Sequence, residues 1–398
     1  MSIFCKYPFV HVCSDTYGMM VPCCSAATDH PNKPNIKSEF PCRPVSEGIF
    51  SYRNIPEMKQ LRLDMMKPDP YTDLVKDVCR NCIHAEEHGI PSMREPLERV
   101  PIGGRNLQLK LRIFGNACNL SCYMCNIKHS STRIRQTERM MKYDEKIGEF
   151  LEYDDLPEFL KTEGGYDLSN KDPEAFDSAL EEVKKFASKI DSVVIIGGEP
   201  FVMGSHYKFL DALIESGESK NIEVKYTSNL TTLEWKGCRV EEYFDKFRLI
   251  SICWSVEGYK DADEYIRFPT NWETIVGNYK KLLDHPRTNI NTSVTLSALT
   301  ILRLDELINF TVAEGLDLSY NHLITPKVCS ISYLHPKVRE KLSKKYAGTP
   351  LSFLCKTLDE DVDDWESKWD DFLRYLKSID FVNGTDYTKT FPELCDLS

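Results

Sequence analysis

Three features of the chain predict an α/β fold built on a partial, barrel-like sheet of six strand–helix units. Leu107, Leu109, Leu111 and Ile113 alternate with Gln108, Lys110 and Arg112, the period of a half-buried strand. Residues 193–196 form a continuous apolar run, as in a parallel strand covered on both faces. Helical stripes recur between the strand candidates: Phe176, Leu180, Val183, Phe186 and Ile190 form one, and Ile275, Val276, Tyr279, Leu282 and Leu283 another. Further strands are expected at 222–226, 249–254, 291–296 and 316–320. Alternating strands and helices imply right-handed crossovers and a parallel sheet. Six units fall short of the eight that close a TIM barrel, so the expected form is a TIM-like (β/α)6 partial barrel over residues 105–330.

The flanks differ in kind. Residues 1–97 are rich in Cys, Pro and His with weak periodicity, and read as a small N-terminal domain that needs a metal staple. Residues 99–105 read as a linker. Residues 136–172, polar and acidic, read as a partly helical insertion between the first two strands. Residues 331–398 form a helical C-terminal extension, whose stripe is Trp365, Trp369, Phe372, Leu376 and Ile379.

With 50 basic and 61 acidic residues the net charge is −11. That favours solubility and argues against a nucleic-acid backbone as partner. No apolar run reaches the roughly 20 residues of a membrane span, and the start has no basic segment before an apolar one. A cytoplasmic location with no membrane partner is the expectation.

Fifteen cysteines in a reducing compartment point to metal or catalytic thiolates rather than disulfides. The segment Phe114-Gly-Asn-Ala-Cys118-Asn-Leu-Ser-Cys122-Tyr-Met-Cys125 follows the first strand directly. Three thiolates from one loop can converge on one iron–sulfur cluster. A closed site wants four ligands, so three leave one iron open to chelate a small molecule; a zinc site completed by His129 is the competing arrangement.

This segment resembles the signature of the radical S-adenosylmethionine (SAM) superfamily. Gly197-Gly198-Glu199-Pro200, at the end of the second strand, is similar to the family's Gly-Gly-Glu-Pro motif. The resemblance implies a [4Fe–4S] cluster on Cys118, Cys122 and Cys125, with SAM bound at its open iron. It implies that Glu199 and the Gly197 and Gly198 backbone take the methionyl ammonium, glycine letting the backbone approach closely. Met124 stands where the family usually has an aromatic residue, and its backbone serves the adenine. Ser228, Asn229, Ser255, Glu257 and Ser297, at strand ends, are implied to face the ribose and methionine; the alternative is that each caps a turn or helix. Arg267 either pairs with the SAM carboxylate or forms a surface salt bridge.

Cys5, Gly18, Cys23 and the Cys79-Arg-Asn-Cys82 pair are spaced like the twitch domain, the shortened SPASM domain that holds one auxiliary cluster, here placed before the barrel. Pro8-Phe-Val-His11, Pro22-Cys23-Cys24 and the ending Phe391-Pro-Glu-Leu394 also look like members with an N-terminal twitch. Cys5, Cys23, Cys79 and Cys82 would hold an auxiliary [4Fe–4S] cluster. Cys13 and Cys24 are alternative ligands, and a structural Zn(Cys)4 site is permitted by the spacing alone. Most of the scattered cysteines, Cys42, Cys238, Cys253, Cys329, Cys355 and Cys395 together with Cys13 and Cys24, read as small buried hydrophobes.

The resemblance implies an oxidoreductase: a flavodoxin- or ferredoxin-type reductant, radical cleavage of SAM, and hydrogen abstraction from a small polar metabolite or a peptide side chain. The auxiliary cluster would accept the substrate's electron. A redox-neutral epimerase or isomerase acting on a sugar or nucleotide is the alternative within the family. A non-catalytic iron–sulfur or zinc scaffold is the alternative outside it, opposed by the Gly-Gly-Glu-Pro segment.

Overall fold

The computed structural model describes residues 5–33, 37–87, 92–94, 104–163 and 166–397. Most of the expected linker, 99–103, lies outside the described residues. The chain divides into two compact units: Met1–Gly115, Tyr166–Tyr226 and Glu234–Ser251 in the first, Asn116–Gly165, Thr227–Leu233 and Ile252–Ser398 in the second.

The first unit opens with an antiparallel meander of β1 (His11–Ser14), β2 (Met19–Val21) and β3 (Arg43–Pro44). β1 then pairs in parallel with β4 (Leu107–Lys110), His11 opposite Gln108 and Cys13 opposite Lys110. β5 (Ile190–Ile195) and β6 (Glu223–Ser228) continue the parallel ladder, followed by a two-stranded hairpin of β7 (Glu234–Trp235) and β8 (Cys238–Arg239). β9 (Leu249–Ser255) is hydrogen-bonded next to β6 and contributes its first three residues to this unit. The sheet is thus open and partly parallel. The N-terminal meander covers the free edge of β4, an edge that would otherwise expose unpaired backbone groups.

β4 is shorter than the alternation suggests. It ends at Lys110, where its partner runs out: the Arg112 N–H bonds the Ser14 hydroxyl at 2.8 Å instead of a ladder carbonyl. One face of the strands is apolar and sealed, with Leu107, Leu109, Val193, Ile195, Val224 and Tyr226 all buried. The helix Pro173–Phe186 is started by Asp172, whose side chain accepts from the Ala175 N–H, with proline at the first helical position. Phe176, Ala179 and Val183 are its buried stripe, and Phe186 stacks on Phe50 at 4.4 Å between ring centres. The glycine in the β1–β2 turn, Gly18, has φ +75°, and the ring of Tyr166 occupies the space a Cβ would need, 2.1 Å away.

In the second unit β9 ends beside β10 (Thr288–Leu296), which pairs in parallel with the edge strand β11 (Leu318–His322). β11 begins two residues later than the sequence suggests. Gly315 closes the preceding helix in the left-handed region at φ +68°, and the Leu316 N–H still bonds the Thr311 carbonyl of that helix. The insertion is largely helical, with Ser131–Tyr143, Ile147–Phe150, Glu158–Glu163 and Leu168–Lys171, the last in the first unit. The tail holds Pro336–Tyr346 and the long Trp365–Asn383. Trp369, Phe372, Tyr375, Leu376 and Ile379 are its buried face, each such side chain worth about 1.5–3 kcal/mol when fully buried. Among the described residues no helix is long and apolar enough to cross a membrane.

Of the scattered cysteines, Cys13, Cys42 and Cys329 are buried as expected, and Cys13 and Cys42 pack with Val21. Cys253 and Cys355 are partly buried, and Cys24, Cys238 and Cys395 are exposed, so fewer than half of the eight are fully buried; Cys238 lies in the exposed β8 strand and Cys395 just beyond the final turn.

Candidate active site

The three-cysteine loop belongs to the second unit. Its backbone is pinned to the segment after the helix Asp261–Ile266. The Ser121 N–H bonds the Phe268 carbonyl at 2.7 Å and the Tyr123 N–H bonds the Ile266 carbonyl at 2.9 Å. Arg267 lies between those two acceptors. The Cys125 N–H closes a turn on the Cys122 carbonyl at 3.0 Å, and the Leu120 N–H points at the Cys118 Sγ at 3.5 Å. None of the three is in a disulfide. Burial pushes Cys122 and Cys125 up to about 12, opposed by Arg267 at Cys122 and by Arg133 and Arg267 at Cys125. Any metal must therefore displace a proton from each.

Around this loop the candidate site residues of the strand ends meet others that carry no signal in the sequence, Asn119, Thr231, Leu230 and Asn278 among them. Asn119 accepts from Asn229 Nδ2 at 3.0 Å and donates to the Thr231 hydroxyl at 2.6 Å, while Asn229 Oδ1 accepts from the Thr231 N–H at 2.9 Å. Asn229 thus ties the loop to the turn after β6. Leu230, in the same turn, is fully buried at φ +55°, a strained backbone for a branched side chain, and its carbonyl accepts from Asn278 at 2.7 Å. Ser228 caps the turn by accepting from the Leu230 N–H at 3.1 Å. Ser297 is fully buried, receives the Tyr123 hydroxyl at 2.6 Å and meets Thr300 at 2.7 Å. Met124 is buried in the loop and Ser255 ends β9, partly exposed.

Arg267 is buried, not at the surface. Its Nη1 lies 3.4 Å from Glu257 Oε1, and Glu257 Oε2 accepts from the Thr295 N–H at 2.7 Å. Asp263 accepts from the Glu257 N–H at 2.8 Å. Burial pushes Glu257 up to about 8 and Asp263 to about 6, each against the pull of Arg267. Burial alone would lower Arg267, but Cys122, Glu257 and Asp263 together hold it above its ordinary value.

In the first unit, Gly197 and Gly198 follow β5 with φ +98° and +53°, conformations that glycine adopts freely. Glu199 is 1 % exposed, and its Oε1 accepts from the Phe201 N–H at 3.2 Å, capping the turn Pro200–Val202.

Also in the first unit, Cys5, Cys23, Cys79 and Cys82 line one cavity, with Tyr7 and Arg94 beside them. Cys13 and Cys24 do not line it. Burial pushes Cys5 up to about 11 and Cys79 to about 12, and raises Cys23 and Cys82 as well. Among the described residues no three or more His, Cys, Asp or Glu side chains are arranged to hold a single metal ion. The donor sets, three thiols on one loop and four around one cavity with no carboxylate or imidazole among them, have the soft character that suits iron–sulfur clusters. The irons of a cubane sit at separate corners, so its thiolates stand wider apart than the ligands of one ion.

An open, partly parallel α/β sheet, and a three-thiol loop that follows β4 in the chain, are the features that point to a class. Residues 113–310 match the family model of the radical SAM superfamily. The chain carries a radical SAM catalytic domain over those residues, a family whose members use SAM and a [4Fe–4S]-type cluster. No curated protein matches the chain. Among solved structures it is similar to native anSMEcpe with bound AdoMet and Cp18Cys peptide, at 16 % identity and TM-score 0.39, over 60 % of this chain and 58 % of that one. It is also similar to Streptococcus suis SuiB bound to S-adenosylmethionine, at 15 % identity and TM-score 0.36, over 78 % of this chain and 60 % of that one. The chain spans about three fifths of the length of these structures.

Proposed function

We propose that this chain oxidises a carbon of a small polar metabolite or a peptide side chain, starting from reductive cleavage of SAM. The observation that carries the reading is the loop of Cys118, Cys122 and Cys125, three thiols within eight residues, none in a disulfide, on a backbone fixed by the 266–268 segment. A [4Fe–4S] cluster held by Cys118, Cys122 and Cys125 would supply a binding point for SAM and the electron for its reductive cleavage to methionine and 5′-deoxyadenosine. In this reading Glu199 takes the SAM ammonium. The Gly197 and Gly198 backbone and Met124 line the bound SAM, and Ser228, Asn229, Ser255 and Arg267 complete the binding set. The protein's own task is to hold SAM still, exclude water and aim the substrate carbon.

Cys5, Cys23, Cys79 and Cys82 are proposed as the ligands of an auxiliary [4Fe–4S] cluster in an N-terminal twitch-like domain. Their shared cavity supports this set over one including Cys13 or Cys24. Four ligands leave no open iron, so electron acceptance from the substrate radical is the natural task. A flavodoxin- or ferredoxin-type protein is the proposed reductant of the SAM cluster.

The test is iron content and product. Anaerobically reconstituted chain should carry about eight irons, two cubanes, each held by thiolates. A folded Cys79→Ala/Cys82→Ala variant should still make 5′-deoxyadenosine and fail to release oxidised product. One equivalent of zinc with iron for a single cluster would defeat the auxiliary assignment.

A further inference from the structure

The helix Ser131–Tyr143 begins six residues after Cys125 and buries Arg133 completely. Its Nη2 donates to the Tyr123 carbonyl at 2.9 Å and also meets the Tyr375 hydroxyl; Nη1 meets Gln136 Oε1. Its Nε is buried with no hydrogen-bond partner. No carboxylate lies within ion-pair distance of it among the described residues. Every acceptor it uses is neutral.

A buried guanidinium without a counter-charge is costly, by several kcal/mol even after relaxation. Such a residue is expected to meet an anion. Its contact with the cysteine loop is the Tyr123 carbonyl, which lies in the chain between Cys122 and Cys125. Cys329 is buried and donates to the same Tyr123 carbonyl at 3.5 Å. The anion that fits is the loop itself when its thiolates carry a cluster. Three thiolates on a [4Fe–4S]2+ core have a net charge of about −1, and one-electron reduction takes it to about −2.

Resting on the cluster reading above, we propose that Arg133 is a positioning residue that supplies the missing positive charge behind the Cys118–Cys122–Cys125 cluster and raises its reduction potential. The guanidinium fixes the Tyr123 carbonyl between the second and third ligands. Its charge acts through low-dielectric protein, where such interactions are strong. The reduced state, with the larger negative charge, is stabilised more than the oxidised one. The Trp365–Asn383 helix takes part through Tyr375, which links the C-terminal extension to the loop.

The test is a redox titration of the reconstituted full chain, following the electron-spin-resonance signal that changes on adding SAM. Arg133→Gln should move the midpoint to a more negative potential, and Arg133→Lys should stay near the native value. Arg133→Gln could lose the fold, so Gln136→Glu provides a second route. It sets a carboxylate against the guanidinium and cancels the charge without removing it, and should lower the potential in the same direction. Tyr375→Phe, which deletes a partner and keeps the charge, should leave the potential close to native. An unchanged midpoint in folded Arg133→Gln or in Gln136→Glu overturns the proposal. So does a fall in Arg133→Lys as large as in Arg133→Gln. If the native chain shows no SAM-responsive signal, the cluster reading fails, and this proposal fails with it.

Discussion

Arg267 Nη1 stands 3.4 Å from Glu257 Oε1, with both side chains under a tenth exposed. Arg267 sits on the segment that pins the cysteine loop, between the Ile266 and Phe268 carbonyls, so its charge is held where Cys122 feels it. Removing one partner of a buried pair leaves the other charge uncompensated, at a cost of about 3–5 kcal/mol. Arg267→Met should destabilise by less than that range in urea unfolding at neutral pH, because Glu257 is free to stay protonated. Glu257→Gln should cost less, because burial already favours its protonated form. The double variant should cost less than the sum of the two. Equal and additive losses would show that the two residues do not act as a pair.

Gly18 is required twice over. Its φ of +75° disfavours any side chain, and a Cβ would stand 2.1 Å from the Tyr166 ring. Gly18→Ala should therefore destabilise the first unit by more than about 1 kcal/mol. Adding Tyr166→Ala should recover the steric part and leave the backbone part. A neutral Gly18→Ala, read by thermal melting, would mean the turn adopts another conformation.

Two buried histidines predict a pH dependence. Burial, helped by Lys110, lowers His11 to about 3, and burial lowers His206 to about 3. Both stay neutral in the fold while the unfolded chain takes up protons below about 6.5. The unfolded state then binds more protons, so stability falls as the pH drops from about 6.5 toward 3, by about 1.4 kcal/mol per pH unit for each histidine. His11→Gln and His206→Gln should each flatten that slope between pH 6.5 and 5. An unaltered slope in either variant would place that histidine's titration outside this window.

What could be read from the sequence was set by periodicity and spacing. The parallel strands announce themselves where buried residues alternate with polar ones, as at Leu107–Lys110 and Leu249–Ser255. The cysteine loop is legible because its ligands are close in sequence. The meander β1–β3 is not, since strands of two to four residues are too short for a period and β1 is buried at every position. Arg133 and Tyr375 could not be found as partners of the loop, because a helical arginine reads as exposed and the two lie 242 residues apart. The Glu257–Arg267 pair was missed because its ten-residue separation matches no helical spacing, so burial was the missing fact.

Metal content separates the two cysteine sets. Cys118→Ala/Cys122→Ala/Cys125→Ala should lose about half the iron of the native chain and keep the rest at the N-terminal set. The measurement is iron and sulfide per chain after anaerobic reconstitution. Loss of all iron in a folded triple variant would show that the N-terminal set holds none.

The most direct test of the central claim is SAM cleavage by the reduced, reconstituted chain, read as 5′-deoxyadenosine and methionine by mass spectrometry. The native chain should form both in equal amounts, slowly even without substrate, and each single alanine variant at Cys118, Cys122 or Cys125 should form neither. A native chain that holds its iron yet leaves SAM intact, or single variants that cleave it undiminished, would contradict the account.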